Sequence, residues 1–241
     1  MARKPAAKPA FPPPCRVWIT RARPGADATA ARLAELRIEA VVEPLLQVRA
    51  LAGADLDLTG VSALAFTSAN AVAAFAERSA DRSLRVFAVG DATAKAARAQ
   101  RFASVLSAQG DVGALASALA TRRRELAGVI LYPAAAEPAQ DLAGALEAVG
   151  LTVRQAALYE TVTLQPPEAF VGELPQIDGV LLHSAKAART LAAFLKLHPA
   201  PQLTAYCLSS AVARPLARAA LAARRSAAAP NETSLLSLLS G

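Results

Sequence analysis

Four short segments of the chain hold hydroxyls, small residues and helix-starting side chains directly after apolar runs. They are Thr67–Ser68–Ala69–Asn70, Gly90–Asp91–Ala92–Thr93, His183–Ser184–Ala185–Lys186 and Leu208–Ser209–Ser210. A helix start has backbone N–H groups without intrahelical partners and a partial positive charge, so each segment can offer N–H and O–H donors to a carboxylate. Any one of them alone reads as an ordinary N-cap. Four at matching places favour an anion-binding role, with Thr67, Ser68, Asn70, Gly90, Thr93, His183, Ser184 and Ser209 as the candidate contacts.

The elements that must carry these segments repeat. Val17–Trp18–Ile19–Thr20 is a short apolar run, followed by an amphipathic helix through Leu33 and Leu36 and an extended run at Ala40–Val42. About 112 positions later Val129–Ile130–Leu131–Tyr132 precedes a helix through Leu142 and Leu146, which Gly150 ends before Leu151–Thr152–Val153 resumes as a strand. LAFTSANAVAAFA at Leu64–Ala76 matches VLLHSAKAARTLAAFL at Val180–Leu195, and VFAVGDATAKAAR at Val86–Arg98 matches AYCLSSAVARPLAR from Ala205 onward. Three strand–turn–helix units thus correspond in order to three more.

Strands alternating with helices predict α/β architecture with parallel sheets and right-handed crossovers. Two similar doubly wound lobes are expected, with a single six-stranded sheet as the alternative. In either case the ligand end is the one beyond the carboxyl ends of the strands, where the four segments fall.

Composition removes several chemistries. Cys15 and Cys207 are the only cysteines, and neither His183 nor His198 has a ligand at metal spacing, so no metal and no disulfide framework are expected. The formal charge is +7, but Arg3, Lys4 and Lys8 lie in the proline-rich tail of residues 1–14 and Arg122–Arg123–Arg124 is followed at once by Glu125. Aromatics do not alternate with the basic residues, which argues against nucleic acid and leaves a small polyanion as the fitting ligand. Apolar stretches are broken well before the roughly 18–20 residues of a membrane span, and the tail lacks the apolar core of a secretory signal, so a soluble cytoplasmic protein is expected. There is no GxGxxG, no GxxxxGK[ST] and no GxSxG, which leaves nucleotide cofactors and a serine nucleophile without support.

The segment VWITRARPGADATAARLAELRIEAVVEPLLQVRAL resembles the opening of uroporphyrinogen-III synthases, FTSANAV resembles their FTS-x-NAV segment, VGDATAKA their VG-x-x-TA segment, and AALYET their Tyr-containing return linker. The resemblance covers about residues 15–239. It implies a discontinuous arrangement, with residues 15–43 and 165–241 in one lobe, 52–157 in the other, two linkers at 44–51 and 158–164, and a cleft between lobes. It also implies a cofactor-free, monomeric enzyme that converts hydroxymethylbilane to uroporphyrinogen III, inverting the last ring, with transient contact with hydroxymethylbilane synthase as a further expectation.

By that similarity Tyr159 is the candidate for assisting departure of the substrate hydroxyl, and Thr20, Arg21 and Thr93 are candidates for substrate binding. The chain departs from the pattern where Tyr132–Pro133–Ala134 replaces Arg-Gly, which predicts a turn without a carboxylate-binding arginine. His183–Ser184–Ala185 and Leu208–Ser209–Ser210 also differ, the latter in lacking a glycine. Two other classes of function remain open at this stage: a non-catalytic two-lobed binding protein for a small anion, and a scaffold that keeps only the fold.

Overall fold

The structure is a computed structural model that describes residues 14–240. All but the last residue of the tail expected over residues 1–14 lies outside the described residues. In chain order the elements are β1 (Arg16–Ile19), α1 (Gly25–Glu35), β2 (Glu39–Val42), β3 (Leu46–Ala50), β4 (Val61–Phe66), α2 (Ala69–Arg78), β5 (Arg85–Ala88), α3 (Asp91–Ala99), β6 (Val105–Ser107) and α4 (Val112–Ala120). They continue with β7 (Val129–Ala135), α5 (Leu142–Ala148), β8 (Val153–Thr163), α6 (Glu168–Glu173), β9 (Gly179–Leu182), α7 (Ala185–Leu197), β10 (Thr204–Cys207), α8 (Ser210–Ala213), β11 (Ala223–Ser226) and α9 (Glu232–Ser237).

These elements form two compact units. Unit 1 takes the described residues of Met1–Gln47 and Val162–Gly241, and unit 2 is Val48–Thr161. In unit 1 the strand order is β11-β10-β9-β1-β2, every neighbouring pair parallel. The period of two along each strand sorts its residues between two cores. Trp18, Val180, Leu182 and Ala205 point to one, with Phe170, Leu191 and Phe194 from the helices. Val17, Ile19, Leu181 and Tyr206 point to the other, with Leu33 of α1 and Leu235 of α9. Burial on both faces explains why these strands read as unbroken apolar runs.

Unit 2 obeys the same rule with strand order β3-β8-β7-β4-β5-β6. Ala63, Ala65, Phe87 and Ile130 face Leu115 of α4 and Leu142 and Leu146 of α5. Leu64, Phe66, Val86 and Leu131 face Val72 and Phe75 of α2 and Ala97 of α3. β3 is the antiparallel edge: the Leu51 N–H donates to the Leu158 carbonyl and the Leu164 N–H to the Leu45 carbonyl, so partner numbers fall as the other strand rises.

Local signals hold where they were strong. Gly150 adopts φ +75° just past α5, its N–H bonded to Glu147 and the next one, Leu151, to Leu146, which closes the helix in the glycine-favoured way. One expectation needs correction. Tyr132–Pro133–Ala134 is part of strand β7, paired to Gln155–Ala157 of β8, and makes no turn. The ladder with β4 ends at Leu131, so Pro133 removes no hydrogen bond on that side. Glu125, beside the arginine run, pairs with Arg85 at 2.7 Å.

Candidate active site

At the carboxyl end of the unit 2 sheet one candidate contact, Ser68, meets the phenol of Tyr159. Register places Tyr159 of β8 level with Ala135, the last residue of β7, and the next segment inward, after β4, begins at Thr67. Ser68 Oγ and Tyr159 Oη lie 2.9 Å apart. Thr67 Oγ1 and Tyr132 Oη form a second, longer contact at 3.4 Å. Tyr159 is 6% exposed, and burial pushes its hydroxyl above the ordinary value of 10.0 although the Ser68 hydrogen bond pulls the other way. The phenol is therefore a neutral O–H at any working pH, able to donate a hydrogen bond or a proton.

Ser68 has a second duty. It is the N-cap of α2, where its Oγ accepts from the Ala71 N–H at 3.1 Å. The N–H groups of Ala69 and Asn70 stay outside the helical ladder. Ser68→Ala removes cap and phenol partner together and is expected to lower unfolding stability by about 1–2 kcal/mol, read from urea unfolding by circular dichroism.

The start of α3 is more open. Its N-cap Gly90 has extended backbone at φ −157° and supplies no side-chain cap. A Cβ built on Gly90 meets nothing within 4 Å, so the space beside this residue is open. Thr93 is 5% exposed, on the buried face of α3, while Asp91 and Ala92 are exposed. Gly90→Ala fills that space without backbone strain. It is expected to raise KM by roughly threefold to tenfold with little change in kcat, the worth of about one hydrogen bond, in steady-state assays.

In unit 1 the strand ends carry a different arrangement. Thr20 is fully buried and donates its hydroxyl to the Leu181 carbonyl of β9 at 2.7 Å, so it holds β1 to β9 and positions Arg21, the next residue. Arg21 and His183 both reach Glu232, the first residue of α9: Arg21 Nη1 at 3.2 Å and His183 Nε2 at 2.9 Å, both on Oε2. Thr29 donates to Oε1 at 2.7 Å. A Cβ on Gly25 would lie 2.6 Å from Arg21 Nε, so glycine there makes the seat of the guanidinium. Burial alone would raise the Glu232 pKa, but the hydrogen bonds from His183 and Thr29, with the charges of His183 and Arg21, bring it down from 4.5 to about 2.

Sequence reasoning missed Glu232. The available signal was Asn231–Glu232 at a further helix start, where Asn231 caps α9 by accepting from Ser234. Arg21 is consequently half-committed to a carboxylate of the protein, and His183 is 12% exposed with its Nδ1 buried and unpartnered among the described residues. Ser184 caps α7 by accepting from Ala187. Ser209 caps α8, which lasts four residues before Pro215 turns it into a 3-10 segment, Arg214–Leu216, so its partial charge is small.

No group of three or more His, Cys, Asp and Glu residues able to hold a metal occurs among the described residues, and no helix there is long and apolar enough to cross a membrane. Cys207 is buried, with its thiol pushed up to about 11, so it is inert as a nucleophile.

Known proteins share this architecture. Uroporphyrinogen-III synthetase from Helicobacter pylori superposes with TM-score 0.64 and 18% identity over 92% of this chain and 96% of that one. A mutant uroporphyrinogen III synthase from Thermus thermophilus gives TM-score 0.52 and 16% identity over 94% and 96%. At such identities the likeness bears on the fold. No curated protein sequence matches the chain. The family profile described as uroporphyrinogen-III synthase HemD matches residues 27–237, which take in the other strand ends of both units and leave out β1, Thr20 and Arg21. The chain belongs to the uroporphyrinogen-III synthase family.

Proposed function

We propose that this chain closes hydroxymethylbilane to uroporphyrinogen III, with Tyr159 as the group that assists loss of the terminal hydroxyl. The observation that carries the assignment of Tyr159 is its buried, neutral phenol at the sheet's carboxyl end, 2.9 Å from Ser68. Ser68 uses a lone pair for the Ala71 N–H, so its own proton can go to Tyr159 Oη. The phenolic proton is then left for the substrate.

The pyrrole nitrogen expels the hydroxyl, and a weak acid suffices because that lone pair supplies the driving force. The hydroxyl leaves as water with the Tyr159 proton, giving an N-protonated azafulvene cation beside the Tyr159 phenolate. Its electrophilic carbon is attacked by the substituted carbon of the last ring, and the spiro intermediate fragments and recloses with that ring inverted. Loss of the ring proton at closure restores the phenol, so the sum is substrate to macrocycle plus water.

Most of the acceleration lies in holding a flexible chain so that the substituted carbon reaches the cation, an orientation effect of several kcal/mol. The donors of Thr67, Ser68, Asn70, Gly90 and Thr93 serve that end in unit 2. Arg21, His183, Ser184 and Ser209 serve it in unit 1, with Thr20 supporting them. In this reading residues 15–43 with 165–241, and residues 52–157, are the working lobes, with 44–51 and 158–164 as connectors. The protein acts as a cytoplasmic monomer without cofactor and meets hydroxymethylbilane synthase transiently.

Incubating the purified protein with freshly generated hydroxymethylbilane tests the reading. The type III isomer is expected, because spontaneous closure gives type I. Type I alone from folded protein would overturn the assignment.

A further inference from the structure

Away from the strand ends, unit 1 has a concavity of about 640 Å³ between α7 and the stretch from Arg214 to Ala220. That volume lies inside the range of small-molecule sites. Arg189 and Lys196 rise from α7, seven residues and so two turns apart on one face, and Arg214 and Arg218 rise from the opposite wall. No acidic residue lines it. All four cations are exposed, and among the described residues none of their side chains has a hydrogen bond or ion pair. Arg16, Arg21, Arg23, Arg85 and Arg154, by contrast, each face a carboxylate of the protein.

The floor between the cations is apolar, with Ala192, Leu195 and Pro215. Like charges gathered on two facing walls repel, and an anion placed between them removes the repulsion. Arginine forks match carboxylate and phosphate oxygens. The lining shares no residue with the candidate active site.

We propose that this concavity is a second ligand site, for a small molecule that carries two or more anionic groups on an apolar ring. Carboxylates and phosphates share the chemistry that the four cations recognise. The arms of the test separate them: benzene-1,2,4,5-tetracarboxylate as polycarboxylate, ATP as polyphosphate on an aromatic body, and inorganic phosphate as an anion with no apolar part.

Isothermal titration of the full chain with each probe, at physiological salt, tests the site. At least one ring-bearing probe is expected to bind, and more tightly than inorganic phosphate. Arg214→Ala/Arg218→Ala is expected to weaken binding about tenfold or more, the loss of two charge-assisted contacts. Arg189→Ala/Lys196→Ala, on the other wall, is expected to do the same. Arg123→Ala/Arg124→Ala removes equal charge elsewhere and is expected to leave binding unchanged. Circular dichroism checks that each variant is folded. Failure of both ring-bearing probes, phosphate binding as tightly as they do, or equal losses in the Arg123/Arg124 control would each overturn the proposal.

Discussion

Replacing Tyr159 by Phe is expected to slow formation of uroporphyrinogen III about a hundredfold while leaving the type III isomer dominant, since a positioned proton donor contributes on that scale. The variant loses one O–H and keeps the ring that fills the core with Phe66, Phe75 and Leu158. Its effect is therefore on chemistry, with a stability loss of only about 1 kcal/mol for the Ser68 hydrogen bond. Selectivity persists because it depends on how the bilane is held. The pH dependence has a definite sign. In the proposed role the protonated phenol is the active form, and burial raises its pKa above 10.0, so this group is expected to cause no alkaline loss of rate until pH exceeds that value. Single-turnover kinetics with isomer separation reads both quantities. An unchanged rate in the Phe variant would remove the proton role from Tyr159 and leave the family assignment standing.

Glu232→Gln is expected to destabilise unit 1 by about 3 kcal/mol at neutral pH, from a carboxylate pKa that is 4.5 when unfolded and about 2 when folded. The folded pKa is depressed. Its stabilisation is thus complete above pH 4.5 and disappears as pH falls to about 2. The two proteins should differ most at neutral pH and converge in acid. Trp18, the only tryptophan, lies fully buried in the unit 1 core, so its fluorescence during urea unfolding reports that unit. Equal urea midpoints at pH 7 would show that the Arg21, His183 and Thr29 contacts do not favour the ionised carboxylate.

Arg21 and His183 also change meaning beside Glu232. As candidates for holding a substrate carboxylate, both are first of all partners of Glu232, whose Oε2 they share at 3.2 and 2.9 Å. In the proposed site the positive charge offered by unit 1 is correspondingly reduced by one negative charge, which leaves donor geometry and helix starts as the larger part of the proposed recognition.

What the sequence by itself determined are the features made by neighbours along the chain. The apolar runs become parallel strands buried on both faces, and Ser68, Ser184 and Ser209 cap helices by accepting the N–H three residues on. Gly150 ends α5 through its own positive φ. These depend on contacts within one turn or one strand, so residue type and spacing suffice.

Only the tertiary structure decided which strand ends face each other. Ser68 meets Tyr159 across 91 residues, and Thr20, just past β1, meets Leu181 of β9 across 161. It also brought Glu232 to Arg21 and His183, kept Pro133 within β7, and gave Glu125 to Arg85. The physical reason is common to all of these. The order of strands in a sheet sets such pairings, and that order is settled by burying both faces of each sheet at once, which no local spacing records.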